Sequence, residues 1–162
     1  SILQPRAFVQ TCSDSPRMPV GAPSRGLDGF RRTSRQPEQA RAVAMVAQGG
    51  VRRFVAAQDS GLALASMLVA DVPTLKSWVH EVLGPLASSS TSDRRLRETL
   101  STFLRAGGSF RAAAVDLHIH GNTVKYRVNR AVERRGRALT DDRLDVEFAL
   151  LMCDWFGDAV LT

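Results

Sequence analysis

Apolar side chains recur at three- and four-residue spacing through the C-terminal part of the chain, and this periodicity predicts four helices. Leu96, Leu100, Phe103 and Leu104 stripe the first, which Asp93 caps and Gly107-Gly108 closes. Ala113, Ala114 and Leu117 face one way on a short second helix behind Ser109. Val124 and Val128 stand one turn apart on a third, which runs to Arg135 and stops at Gly136 in a left-handed conformation. Asp141-Asp142 caps a fourth, whose stripe of Leu144, Phe148, Leu151, Met152 and Trp155 must bury against the others.

Upstream the pattern is more broken. Pro37-Glu38-Gln39 opens a helix reaching about Gln48, and Gly49-Gly50 ends it. Arg53-Phe54-Val55-Ala56 fits a strand. Ser60 is placed to cap a helix carrying Leu62, Leu64, Met67 and Leu68. Asp71 or Pro73 starts another through Leu75, Trp78, Val79 and Leu83, which Gly84-Pro85 stops. Over residues 1–36 the breakers Pro16, Pro19, Gly21, Pro23, Gly26 and Gly29 allow only brief strands, such as one at Met18-Pro19-Val20. The polar run Ala87-Ser88-Ser89-Ser90-Thr91-Ser92 reads as a linker. The expected fold is therefore mainly α. A small partial α/β module over 1–86 and a linker at 87–92 precede an all-α helix-turn-helix domain over 93–162.

Charge sharpens this division. Residues 93–137 hold 11 Lys and Arg against 4 Asp and Glu, a surplus of +7 where the whole chain carries +6. Residues 138–162 hold 1 basic and 6 acidic residues, or −5, so positive charge gathers on the segment that carries the candidate reader helices. A phosphate-binding surface needs that segregation. The N-terminal stretch 1–53 is also basic, with 9 basic and 3 acidic residues, and reads as a solvated arm or a second nucleic-acid contact.

The window from Ser109 to Val128 reads as two short helices around the turn residue Ile119, with small Ala113 and Ala114 at the closest approach. With Val124 at the centre of the buried side, 100° steps bring Val128 and Ala131 close to it. Asn122, Tyr126, Asn129 and Glu133 then fall opposite, with Arg130 just off that side. Thr123 and Lys125 lie on the flanks, and Arg127 lies nearer the core, its stem packed and its head free for phosphate or an acidic neighbour. Asn suits adenine and Arg suits guanine in a major groove. The expected DNA-binding residues are Arg111, Asn122, Thr123, Lys125, Tyr126, Arg127, Asn129 and Arg130, with Arg111 and Lys125 mainly on phosphate. Glu133 repels phosphate, so the contacting surface ends near Arg130.

These residues resemble the helix-turn-helix domain of the PucR/CdaR-type transcriptional regulators, a motif similar to the Fis-like DNA-binding fold. The resemblance rests on Leu100-Ser101-Thr102-Phe103-Leu104 with Gly107-Gly108, then on Ala113-Ala114 and Leu117-His118-Ile119-His120. It continues through Asn122-Thr123-Val124-Lys125-Tyr126-Arg127-Val128 and Asp141-Asp142-Arg143-Leu144. Upstream, Gly26-Leu27-Asp28-Gly29-Phe30-Arg31-Arg32 and Gly84-Pro85-Leu86 look like that family's central GGDEF-like α/β module. The resemblance covers roughly 20–157 and is stronger after 93. It implies a regulator of transcription that binds double-stranded DNA as a two-fold homodimer. Residue 1 would then lie inside the central module, and a small-molecule effector would act through an upstream sensory region. Gly121 departs from the pattern, because these regulators often carry a longer or basic side chain there.

Other chemistry finds little support. His118, His120 and Asp116 invite a metal, but no third ligand is spaced to join the histidines, so no metal or cofactor is expected. No G-x-S-x-G, P-loop or dinucleotide fingerprint is present, and no catalytic residue is assigned. A nucleotide-cyclase reading fails because Gly49-Gly50 is followed by Val51-Arg52 rather than an acidic residue. Cys12 and Cys153 lack metal or redox spacing, and no apolar run is expected to reach the roughly 20 residues of a membrane span, so a cytoplasmic setting is expected. The rival reading is a regulatory dimerisation or protein-interaction module that does not bind DNA.

Overall fold

The computed structural model describes residues 61–162, together with 19–20, 41–43, 45–46 and 55–56. Strands β1 (Pro19–Val20) and β2 (Val55–Ala56) pair in parallel, Pro19 opposite Val55 and Val20 opposite Ala56. Residues 41–43 and 45–46 are helical, inside the helix expected from 37 to 48. The rest of residues 1–60 of the expected α/β module lies outside the described residues. That includes Gly26 to Arg32, the Gly49-Gly50 turn and the Ser60 cap.

Six helices follow: α1 (Leu62–Leu68), α2 (Val72–Leu83), α3 (Thr91–Arg105), α4 (Phe110–Leu117), α5 (Gly121–Arg135) and α6 (Arg143–Phe156). Single 3-10 turns occupy Val69–Asp71, Gly84–Ala87 and Gly157–Ala159. Helices α1 and α2 fall where the apolar spacing of residues 60–68 and 71–83 predicts them. Their apolar spacing is helical, and their buried face has a helical partner.

That partner is the C-terminal bundle. Leu75, Val79, Val82 and Leu83 of α2 join Leu100, Val124, Val146, Leu150 and Trp155 in one buried cluster. Trp78 of α2 meets Phe148 of α6 with ring centroids 5.4 Å apart. Leu62–Ala87 does have the length and mean hydropathy, 1.3, of a membrane-crossing helix, against the sequence expectation. It is nonetheless interrupted at Val69–Asp71, and it carries Asp71, Lys76 and Glu81 while burying one face on α6.

The expected linker is structured. Leu86 and Ala87 are fully buried, and Thr91 and Ser92 form the first turn of α3. Ser89 N–H donates to Thr162 O at 2.6 Å, and Thr162 N–H donates to Ala87 O at 3.1 Å. The buried Arg97 guanidinium donates to Leu86 O and Ser88 O. Carbonyls stranded by the irregular backbone are thereby satisfied without water.

Caps differ in detail from expectation. Ser90, rather than Asp93, caps α3. Its hydroxyl accepts from Asp93 N–H at 3.1 Å and donates to the Asp93 carboxylate at 2.9 Å. Asp93 sits in the first turn, where a carboxylate favours the positive end of the helix dipole. Burial pushes its pKa up, but hydrogen bonds from Arg134 and Ser90 outweigh that and hold it below the usual carboxylate value. Replacing Ser90 by Ala should cost about 1 kcal/mol in urea unfolding, with an unchanged slope against denaturant. An unaltered midpoint would show that the cap carries no stability.

The cap of α1 is Gly61, with φ 84 and no side-chain hydrogen bond. A Cβ there would lie 2.6 Å from Leu151 Cδ2, so glycine serves both backbone and packing. Asp71 caps α2 by accepting from Thr74 N–H, and Ser109 caps α4 through Ala112 N–H. Asp142 precedes α6 but makes no capping bond, because its carboxylate faces Arg135. The buried side of α6 runs through Val146, Ala149, Leu150, Met152, Cys153, Trp155 and Phe156. Leu144, expected in that stripe, is 77% exposed, because it stands about 200° around the helix from Val146, which is fully buried in the same turn.

Candidate nucleic-acid interface

Helices α3, α4 and α5 build the site. The turn Gly107-Gly108 places both residues at positive φ, 66 and 83, which reverses the chain between α3 and α4. Phe103 and Phe110 stack across this turn at 4.6 Å. Ala113 is fully buried where α4 meets α5, as the small side chain required.

Between α4 and α5 the chain turns at His118, which holds φ 55 and ψ 40. This is the left-handed region, uncommon for a residue with a side chain. Its N–H donates to Val115 O, and its exposed ring lies 3.2 Å from Asp116 O. His118 therefore ends α4. His120 opens α5: its Nδ1 accepts from Asn122 N–H at 3.2 Å. Both histidines thus have structural work at the turn, and no group of three or more metal-ligating side chains is present among the described residues.

Helix α5 buries Val124, Val128 and Ala131 and turns its other side outward. Asn122, Lys125, Tyr126, Asn129 and Arg130 are exposed, while Thr123 and Arg127 are half-buried on its flanks. Arg111 on α4 is exposed too. A shallow groove brings Arg111, Asn122 and Lys125 together with His120, Val115 and Ile119. Tyr126, Asn129 and Arg130 continue along α5 outside that groove. Arg130 donates to Glu133 at 3.0 Å, so the free protein holds this guanidinium in an exposed ion pair. Such a pair is weak, roughly 0.2–1 kcal/mol, and releases its arginine readily. A Cβ added at Gly121 would meet nothing within 4 Å. Space does not demand glycine there.

The far end of α5 shows what the sequence reading passed over. Arg135 is buried, and the spacing Val124, Val128, Ala131, Arg135 carries the apolar stripe onto it. A cation falling on a helix's buried stripe is the signal that could have found it. Gly136, with φ 80, closes the helix as expected.

This arrangement has two short helices around a tight turn, the second presenting a polar face. Residues 96–152 match the PucR C-terminal helix-turn-helix domain. The matched span includes most of α3, all of α4 and α5, and most of α6. The chain is 31% identical over 81 residues to the purine catabolism regulatory protein of Bacillus subtilis, covering 50% of this chain and 15% of that protein. It is 41% identical over 77 residues to an uncharacterised protein in the pkwA 5' region of Thermomonospora curvata, covering 46% and 43% respectively. It is 36% identical over 76 residues to an uncharacterised protein of Mycobacterium tuberculosis, covering 47% and 18%. The chain spans less than half the length of each of these relatives. No solved structure matches it. Within the matched span, α4 and α5 are the helices on either side of the tight turn at His118.

Proposed function

We propose that the chain is part of a sequence-specific DNA-binding regulator of transcription, with α5 lying in the major groove. The observation that carries this reading is the outward side of α5. Asn122, Tyr126, Asn129 and Arg130 stand exposed there, opposite the buried Val124, Val128 and Ala131. The PucR-type match over 96–152 and the regulatory relative in Bacillus subtilis support it. In this reading Asn122, Tyr126, Asn129 and Arg130 face base edges, Arg111 and Lys125 hold phosphates, and Thr123 and Arg127 reach the flanking backbone. A two-fold homodimer would present two such helices to half-sites one helical turn apart. An effector bound upstream would set the regulator's state, and the protein would work in the cytoplasm, beside the DNA.

Lys125 offers the direct test. Lys125→Ala should weaken binding to all duplex sequences alike and flatten the log–log salt dependence by about one unit. Fluorescence anisotropy across a salt series reads both quantities. Unchanged affinity and slope would remove Lys125 from the interface and favour the rival reading, a protein-interaction module.

A further inference from the structure

The C-terminal end of α5 is tied down by three arginines, Arg134 to the start of α3 and both Arg135 and Arg137 to the end of α2. Arg134 forms a forked pair with Asp93 at the start of α3, at 3.1 and 3.3 Å. Arg135 donates through Nε to Val82 O at the end of α2, at 2.8 Å, through Nη1 to Ala138 O at 2.9 Å, and through Nη2 to the Asp142 carboxylate. Arg137, just beyond the helix, donates to Glu81 O at 2.7 Å and to Val82 O at 3.2 Å. The last carbonyls of α2 carry the negative end of its dipole, so two guanidinium groups complement them in charge as well as in hydrogen bonding. Gly84 allows the approach: a Cβ there would lie 3.2 Å from Arg135 O.

We propose that Arg135, assisted by Arg137, is a positioning residue that clasps the end of α2 and thereby fixes the angle at which α5 meets DNA. The inference rests on the reading of α5 as the recognition helix. Arg135 has no exposed side-chain surface to offer a ligand. Its effect on DNA must pass through the helix. Base contacts depend on helix angle more sharply than phosphate contacts do, so the clasp should govern discrimination rather than general affinity.

The experiment uses the full chain and two duplexes: one selected from a random-sequence library by the unmodified protein, and a scramble of the same composition. Arg135→Lys keeps the charge but cannot span Val82, Ala138 and Asp142 together. It should lose about tenfold on the selected duplex and little on the scramble, with cooperative thermal unfolding retained. Arg137→Ala removes only partly exposed bonds and decides the matter if Arg135→Lys fails to fold. It should lower the ratio of the two affinities by about threefold. Equal weakening on both duplexes with a flatter salt slope would make Arg137 a phosphate contact and overturn the inference. So would a folded Arg135→Lys protein with undiminished discrimination. If the unmodified chain binds neither duplex, the reading of α5 falls, and the clasp's role in DNA recognition falls with it.

Discussion

A fragment comprising residues 93–162 should fail to unfold cooperatively, whereas one comprising 61–162 should melt as a unit. The longer fragment keeps α2 and the Gly84–Ala87 turn, whose Leu75, Val79, Val82, Leu83 and Leu86 are buried against the C-terminal helices. Full burial of such side chains stabilises by roughly 1.5–3 kcal/mol each. Five of them together rival the roughly 5–15 kcal/mol that holds a whole domain folded. The shorter fragment also strips Arg97 of its acceptors at Leu86 and Ser88, and Arg135 of its acceptor at Val82. Guanidinium groups that lose part of their hydrogen bonding in this way cost further stability. Calorimetry on the two fragments checks this. Cooperative melting of 93–162 at the temperature of the longer fragment would restore an independent domain behind a linker at 87–92.

The second large effect concerns recognition. Asn122→Ala and Arg130→Ala should each cost roughly 1–3 kcal/mol on the preferred duplex and relax preference at particular base pairs. Arg130 first has to leave Glu133, but that exposed pair is too weak to offset a bidentate contact with guanine. Val124→Asp is the control. It buries an unpaired carboxylate at the centre of the packed side and should unfold the domain rather than shift its specificity. Selection from a random-sequence library with each variant measures the preference. Retained affinity and preference in folded Asn122→Ala and Arg130→Ala proteins would remove both from the groove.

Much of this fold was legible because its signals are local. The Ser109 cap, the left-handed Gly136 and the stripe of Val124, Val128 and Ala131 each follow from a few neighbouring residues, and so does the outward polar side of α5. The Ser-rich run misled because composition does not reveal what a polar segment touches. Ser88 and Ser89 are fastened by Arg97 and the distant Thr162. Leu144 misled for another reason: α6 is apolar around most of its circumference, so spacing alone leaves open which side faces the bundle. The clasp was hardest to read, since Arg135 and Val82 lie 53 residues apart and backbone acceptors leave no mark on sequence. Among the expected site residues, Arg111, Asn122 and Lys125 line one groove, while Arg127 and Thr123 turn partly toward the core.

The account depends most on α5 meeting a phosphate-lined groove. Anisotropy of a labelled mixed-sequence duplex, titrated with the intact chain from about 50 to 200 mM salt, tests this most directly. With Arg111, Lys125 and Arg127 on phosphate, binding should be clear at the lower salt. It should weaken with a log–log slope of about −3 for each copy bound. Absence of binding at low salt, or binding indifferent to salt, would contradict it.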